Sequence, residues 1–305
     1  MKNKIYYIML AIVYITWGLD PIINRYFYNY FSASALVLLA TLASFILFLA
    51  LSFKKLRLID KRYLKIAVPI CIISSLANIL QRIGLQYTTP ASYAFLEQLA
   101  CVVVPILLFI LARRKPTLLQ SAASIFCLVG CFIFSGLATS GGIGFGIGDI
   151  LCALAGIFGG IALAATGLYV KELDIRLYTL IHMSTYFMTS LIMAISLNLI
   201  TSNGAPIEKL TFTAKPAVII GALVFGLFSV GICWLMRNKA VSKINPALVA
   251  IIGPSSAIIT GIVSLILKID KISPHFIIGS ALILIAMVLS AANDIRQGKK
   301  QKNNC

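Results

Sequence analysis

The sequence predicts an all-α polytopic membrane protein, with ten transmembrane helices arranged as two inverted five-helix repeats. Three observations lead there. Hydrophobic residues make up 60% of the 305 residues and charged residues only 11%, with a mean hydropathy of +0.99. A water-facing surface needs roughly twice that share of charge, and the same composition excludes disorder, collagen and a secreted disulfide scaffold. Ten apolar runs each approach the ~20 residues that cross a bilayer. The Lys and Arg between those runs rise and fall in number from one connection to the next.

The runs fall near 5–24, 33–53, 63–83, 92–111, 118–138, 147–170, 178–200, 216–236, 246–267 and 275–292. Lys2 and Lys4 before the first run look like the start of a signal peptide. Trp17, Asp20 and Pro21 stand where small residues would mark cleavage, so a retained helix is expected. Ser140-Gly141-Gly142 precedes the sixth run and Ser202-Asn203-Gly204 follows the seventh, both with turn chemistry. Pro90-Ala91 and Pro246-Ala247 enter the fourth and ninth runs, where a first-turn proline loses no hydrogen bond. The expected organisation is a first repeat over 1–140, a second over 141–295 and a basic tail over 296–305. The connections leave no room for a soluble catalytic domain.

Orientation follows from the positive-inside rule. With the N-terminus in the cytoplasm, Arg25, Arg82, Lys209, Lys215, Lys268 and Lys271 lie outside, and the remaining 20 of the 26 Lys and Arg lie inside. Both termini are then cytoplasmic, in a cell inner membrane. The formal charge of +17 becomes a set of topology anchors beside anionic lipid, and no nucleic-acid partner is expected. Tyr26, Phe27, Tyr28, Tyr30 and Phe31 at one boundary, with Tyr6, Tyr7, Tyr63, Tyr169 and Tyr178 at the other, form aromatic belts.

Other chemistries lack their residues. Six of the seven Cys lie in apolar runs without a CxxC, and the four-residue spacing of Cys127 and Cys131 reads as packing. Neither HExxH nor GxSxG occurs, and the chain has two His. The Gly-rich stretch 141–148 lacks the Lys-Ser/Thr of a phosphate loop. No enzyme activity, metal or cofactor is therefore expected, and no direct ATP drive.

An internal repeat emerges at an offset of 156 residues. Gly84-Leu-Gln-Tyr-Thr-Thr-Pro90-Ala91 lies opposite Ala240-Val-Ser-Lys-Ile-Asn-Pro246-Ala247, and Gln81-Arg82 lies opposite Arg237-Asn238. Five spans per half is odd, so the second half enters the membrane from the other side. Inverted repeats supply two similar states, one open to each face.

Thr16-Trp17-Gly18 in the first span, Gly84 with Tyr87-Thr88-Thr89-Pro90-Ala91 before the fourth, Gly148-Asp149-Ile150-Leu151 opening the sixth, and Asn238-Lys239-Ala240 with Asn245-Pro246-Ala247 before the ninth carry a resemblance. In their order and spacing over residues 5–292 the chain resembles the EamA-like branch of the drug/metabolite transporter superfamily. The resemblance implies a secondary carrier of small organic solutes, often an exporter of amino acids, other metabolites or drugs, with a substrate cavity between the halves. Uptake or exchange is the alternative direction; a channel, receptor or assembly factor is the alternative class. Glu97-Gln98 departs from the apolar or small residues usual there.

The site candidates follow from burial cost. Glu97 is the acidic residue deepest in any span, and a membrane-buried carboxylate is functional by default. It handles solute or proton, or it forms an ion pair with Arg82, in a network completed by Asn78 and Gln81. Gln98 and Tyr93 share its stretch. Trp17, Asp20 and Asn24 line the outer part of the first span, where Pro21 removes a helical hydrogen bond; they receive a solute or form an interfacial cluster. His182 is a proton-carrying or an interfacial residue. Arg237 and Asn238 are gate candidates, or membrane anchors. Pro105, Gly253 and Pro254 are hinge candidates, and Gly156 and Gly160 form a small-residue packing pair. Expected partners are a small organic solute, membrane lipids and a proton or other coupling ion, on a monomer or homodimer.

Overall fold

The computed structural model describes residues 4–88, 95–113, 115–137, 146–202, 205–206, 208–213, 215–268 and 273–303. Nine helices among them are long and apolar enough to cross a membrane, and a tenth apolar helix is shorter. In chain order they are α1 Lys4–Phe27, α2 Ala33–Ser52, α3 Lys61–Gln86, α4 Phe95–Ala112, α5 Leu118–Phe134, α6 Ile147–Tyr169, α7 Ile175–Leu199, α8 Pro216–Val241, α9 Pro246–Ile266 and α10 Pro274–Asn303. Side chains cap four of them. Ser32 accepts from Ala35 N–H, Thr117 from Gln120, Asp174 from Arg176 and Asn245 from Ala247. Each takes an amide that the helix itself leaves unbonded.

Three expectations are adjusted. α1 runs unbroken through Pro21 to Phe27. α5 stops at Phe134, short of the expected 138, because Gly136 takes φ +73°, the left-handed conformation that ends helices. α10 continues into the basic tail as far as Asn303. The 201–215 connection holds a two-residue hairpin, Thr201–Ser202 against Ala205–Pro206.

The chain divides into two compact units. The first comprises Met1–Ser75 and Tyr169–Ala240, the second Leu76–Leu168 and Val241–Cys305. Each draws helices from both sequence repeats.

In the first unit α2 packs most extensively on α7 and also lies along α8. The α2–α8 crossing uses small residues, with Gly226 against Ala40 and Gly231 against Ser44. Val37, Phe48, Leu180, Met183 and Tyr186 fill the α2–α7 seam, where Phe45 and Phe187 stack at 5.9 Å. At one end the Glu208 carboxylate accepts from Ser34 N–H at 3.0 Å, and Phe31 bridges to Phe212. At the other, Lys55 meets Asp174 at 2.5 Å, Arg62 meets Glu172, and Asp174 N–H donates to the Tyr63 hydroxyl.

In the second unit α5 and α10 form the main seam. Gly130 approaches Ile283, and Gly279 approaches the Phe134 backbone. Thr117 donates to Asn293 at 2.6 Å, and Asn293 donates to Gln120 at 3.2 Å, so a buried polar clamp joins the same two helices. Cys101, Cys127, Cys131 and Cys152 pack in this core with Phe95, Leu96 and Ile251. α6 carries the expected small pair: a Cβ on Gly156 would lie 2.3 Å from the Leu96 carbonyl, and one on Gly160 2.9 Å from Val103.

The outward surface is apolar. Ile125 is 63% exposed, Val224 64% and Val288 68%, patches that water would drive together and lipid tails would not.

Two outcomes test this packing. Gly156→Ala should destabilise by about 1–3 kcal/mol, because the new methyl meets fixed backbone. Gly159→Ala, where nothing lies within 4 Å, should match or exceed wild type through helix propensity; thermal melting in detergent compares them. The second concerns Asp174. Burial alone would raise its carboxyl, but Lys55 and the Arg176 and Leu177 amides outweigh that and hold it below the usual range. A depressed folded value gives stability that is full at neutral pH and fades as pH falls through that value. The melting temperature of wild type should therefore converge on that of Asp174→Asn as pH is lowered below about 4.

Candidate functional site

α1 presents Trp17, Asp20 and Asn24 at spacings of three and four, hence on one face. That face meets a segment of α8 that is not α-helical. Leu227–Ile232 forms a π-turn, which widens the helix and re-aims its polar groups. Ser229, 3% exposed, receives two of the three α1 residues. Its carbonyl accepts from the Trp17 indole N–H at 3.0 Å, and its hydroxyl donates to Asp20 Oδ1 at 2.6 Å. Asn24 donates to Asp20 Oδ2 at 2.8 Å. Both carboxyl oxygens thus have donors, which offsets the cost of taking them out of water.

Further along α8, Trp234 lies 5.4 Å from Trp17 between ring centroids. The Arg237 guanidinium sits 4.9 Å from the Trp234 ring centre and 5.9 Å from that of Trp17. Trp234 also meets the His182 ring of α7 edge-on at 4.5 Å. His182 is 1% exposed and Asn238 likewise. The Asn238 amide nitrogen lies 3.4 Å from His182 Nδ1 and 3.4 Å from the Thr179 hydroxyl. Arg237 Nε and His182 Nε2 have no hydrogen-bond partner among the described residues.

The second unit holds the other candidates. α4 is interrupted. Phe95–Glu97 is helical, Gln98 and Leu99 form a turn, and the helix resumes at Ala100. Glu97 therefore ends a fragment, half-buried, with its backbone against the Gly156 position of α6. α9 is interrupted likewise, into Pro246–Ile252 and Ser255–Ile266 around Gly253-Pro254. The repeat offset of 156 carries Glu97-Gln98 onto Gly253-Pro254. The two breaks also adjoin in space: a Cβ on Gly253 would lie 3.8 Å from Gln98 Oε1.

Pro105 lies mid-helix without a break. A proline there deprives the carbonyl four residues earlier of its donor. That carbonyl, of Cys101, accepts from the Ser124 hydroxyl at 2.9 Å instead. Asn78, Gln81 and Arg82 are half-buried on the later part of α3, and each is engaged in polar or electrostatic contacts, as is Glu97. Asp149, 7% exposed, accepts from Thr88 and from Gly146 N–H at 3.1 Å at the start of α6. Tyr93 lies outside the described residues. Ser229 and Trp234 were not singled out from sequence. The signal available for Trp234 was that it and Trp17 are the chain's two tryptophans.

Apolar-surfaced helices of spanning length define a polytopic membrane protein. Residues 4–136 and again 146–292 match the EamA-like transporter family, and the chain belongs to that family. An uncharacterized transporter of Archaeoglobus fulgidus is 22% identical over 218 residues, 72% of this chain; the match spans 66% of that relative's own length. A solved crystal structure superposes with a TM-score of 0.73 at 14% identity, over 96% of this chain and 98% of the other. That likeness concerns the fold.

The Asp20–Ser229 bond joins helices more than 200 residues apart in sequence. Asp20→Ala, which leaves the buried Ser229 hydroxyl without this acceptor, should lower stability by about 1–3 kcal/mol. Asp20→Asn, which keeps an acceptor oxygen, should recover part of the loss; melting of purified variants reads both.

Proposed function

We propose that the protein is a secondary carrier that moves a small organic solute across the cell inner membrane by alternating access, in the direction of export. One observation carries the reading: α4 and α9, equivalent in the repeat, both depart from regular α-helical bonding, at Gln98–Leu99 and at Gly253-Pro254, and the two turns adjoin. At both turns the ladder tightens to three-residue bonds, Gln98 to Phe95 and Leu99 to Leu96 in α4 and Ser256 to Gly253 in α9, and such irregularities inside a span mark functional places. Carriers place irregular helical segments of this kind at their solute and ion sites. The repeats are assigned to 1–140 and 141–295 in opposite orientation, with 296–305 as a cytoplasmic tail. The paired family matches and the five-span period support that division.

Glu97 beside the α4 break is the group proposed for coupling to a proton or another ion, with Arg82, Asn78 and Gln81 as neighbours in the same network. Gly253 and Pro254 serve as the hinge of α9. Lipid is the other partner: the groove of Leu39, Ala43, Ile46, Leu47 and Ala50 on α2 with Leu223 on α8 holds no polar side chain and suits acyl chains.

Reconstitution in proteoliposomes tests the reading. Flux of the transported solute should saturate and should show counterflow against a gradient, which a channel lacks. Glu97→Gln should lose pH-driven accumulation and retain solute exchange; an unchanged flux-against-pH profile, normalised to folded protein, retires the coupling role. Single cysteines at Lys209 and at Arg113 should label from outside and only after permeabilisation, respectively. The reverse pattern overturns the orientation.

A further inference from the structure

Arg237 is the least explained charge in the first unit. It forms no ion pair among the described residues, and its Nε is buried without a hydrogen-bond partner. A membrane anchor would send its guanidinium out to headgroups and water. This one instead lies against the rings of Trp17 and Trp234. Cation–π contact holds a cation in place without neutralising it, so the planar fork of donors remains available.

Beside it lies a second unpartnered donor or acceptor. His182 is 1% exposed, and its Nε2 has no partner among the described residues. Its other ring nitrogen is occupied by Asn238, itself anchored on Thr179. Trp234 touches both Arg237 and His182. The cluster therefore combines one fixed positive charge, one oriented imidazole and two indole walls. Trp17, Trp234 and Arg237 are half-buried, which leaves the group reachable.

We infer that Arg237, flanked by Trp17 and Trp234 and backed by His182, is a binding site for the carboxylate of a small organic acid or amino acid. The inference rests on the carrier reading above and adds the chemical class of its solute. A guanidinium fork matches a carboxylate in two parallel hydrogen bonds. One guanidinium fork pairs with one carboxylate, whereas a phosphate dianion asks for a second cation. The indole faces accommodate an apolar or planar body next to the anionic head. Asp20 stands on the same face of α1 as Trp17, one turn away, and its carboxylate is already bonded to Ser229 and Asn24.

The site carries its own reporter, because Trp17 and Trp234 are the only tryptophans in the chain. Sodium butyrate and sodium phenylacetate are titrated into detergent-purified protein while tryptophan emission is followed, with butyramide, phenylacetamide, inorganic phosphate and sodium chloride as matched probes. The carboxylates should change the emission saturably, and the amides and chloride should not. Arg237→Gln should weaken the apparent affinity about tenfold or more, and Arg237→Lys, which keeps charge but loses the fork, should fall between. Equal responses to acid and amide in the wild type overturn the site without recourse to any variant. So does a stronger response to phosphate, which would point to a lipid headgroup or free phosphate. An Arg237→Gln variant that melts like wild type and binds carboxylates unchanged also overturns it. Flux separates this inference from the reading beneath it. Saturable binding without counterflow retires the carrier and keeps the site. Counterflow of a neutral solute, equally fast in Arg237→Gln, retires the site and keeps the carrier.

Discussion

In hydrocarbon every backbone amide and carbonyl must find a partner inside the protein, and the architecture follows from that constraint. It makes the spans helical, and it makes each departure from the helix costly enough to need local compensation. Among the described residues three such departures occur within spans: the Gln98–Leu99 turn, the Gly253-Pro254 turn and the π-turn at Leu227–Ile232. The π-turn shows the compensation at one residue, where the Ser229 carbonyl accepts an indole N–H and its hydroxyl meets a carboxylate. The other two adjoin each other.

The same solvent removes the ordinary hydrophobic drive between helices, leaving close contact and buried hydrogen bonds to hold them. Small residues supply that close contact at one seam in each unit. Gly226 and Gly231 let α8 approach α2, and Gly130 and Gly279 let α5 approach α10. The most extensive contacts join α2 to α7 and α5 to α10, helices five positions apart in each case. A duplicated five-helix unit related by a two-fold axis produces self-paired contacts of this kind.

Much of this was legible in the amino-acid order, for physical reasons. Transmembrane helices announce themselves through long apolar runs, and all ten runs correspond to helices. Gly253-Pro254 reads as a break because proline lacks the amide and glycine lacks a constraint. Gly156 and Gly160 read as a contact face from their spacing. The α4 interruption carried a weaker signal: Gln98 and Leu99 are not breakers, and only the polar pair in an apolar run, sitting opposite Gly253-Pro254, hinted at it. Hydropathy ran past Phe134 because it does not register that Gly136 ends a helix by its backbone angle. The Ser229 and Trp234 contacts were invisible, since their partners on α1 lie more than 200 residues away. Trp17, Asp20 and Asn24 were found because polar groups in a span are expensive, not because their partners were known.

Pro105 shows how stiffness is distributed along one helix. Its removal of a backbone bond would ordinarily soften α4 at mid-length. The Ser124 hydroxyl replaces that bond, so bending there would break a link to α5 as well as distort α4. Ala100–Ala112 is thereby tied to its neighbour at mid-length. The turn at Gln98–Leu99 is stitched differently, by three-residue bonds to Phe95 and Leu96, so the chain winds more tightly beside Glu97 than in the stretch that follows.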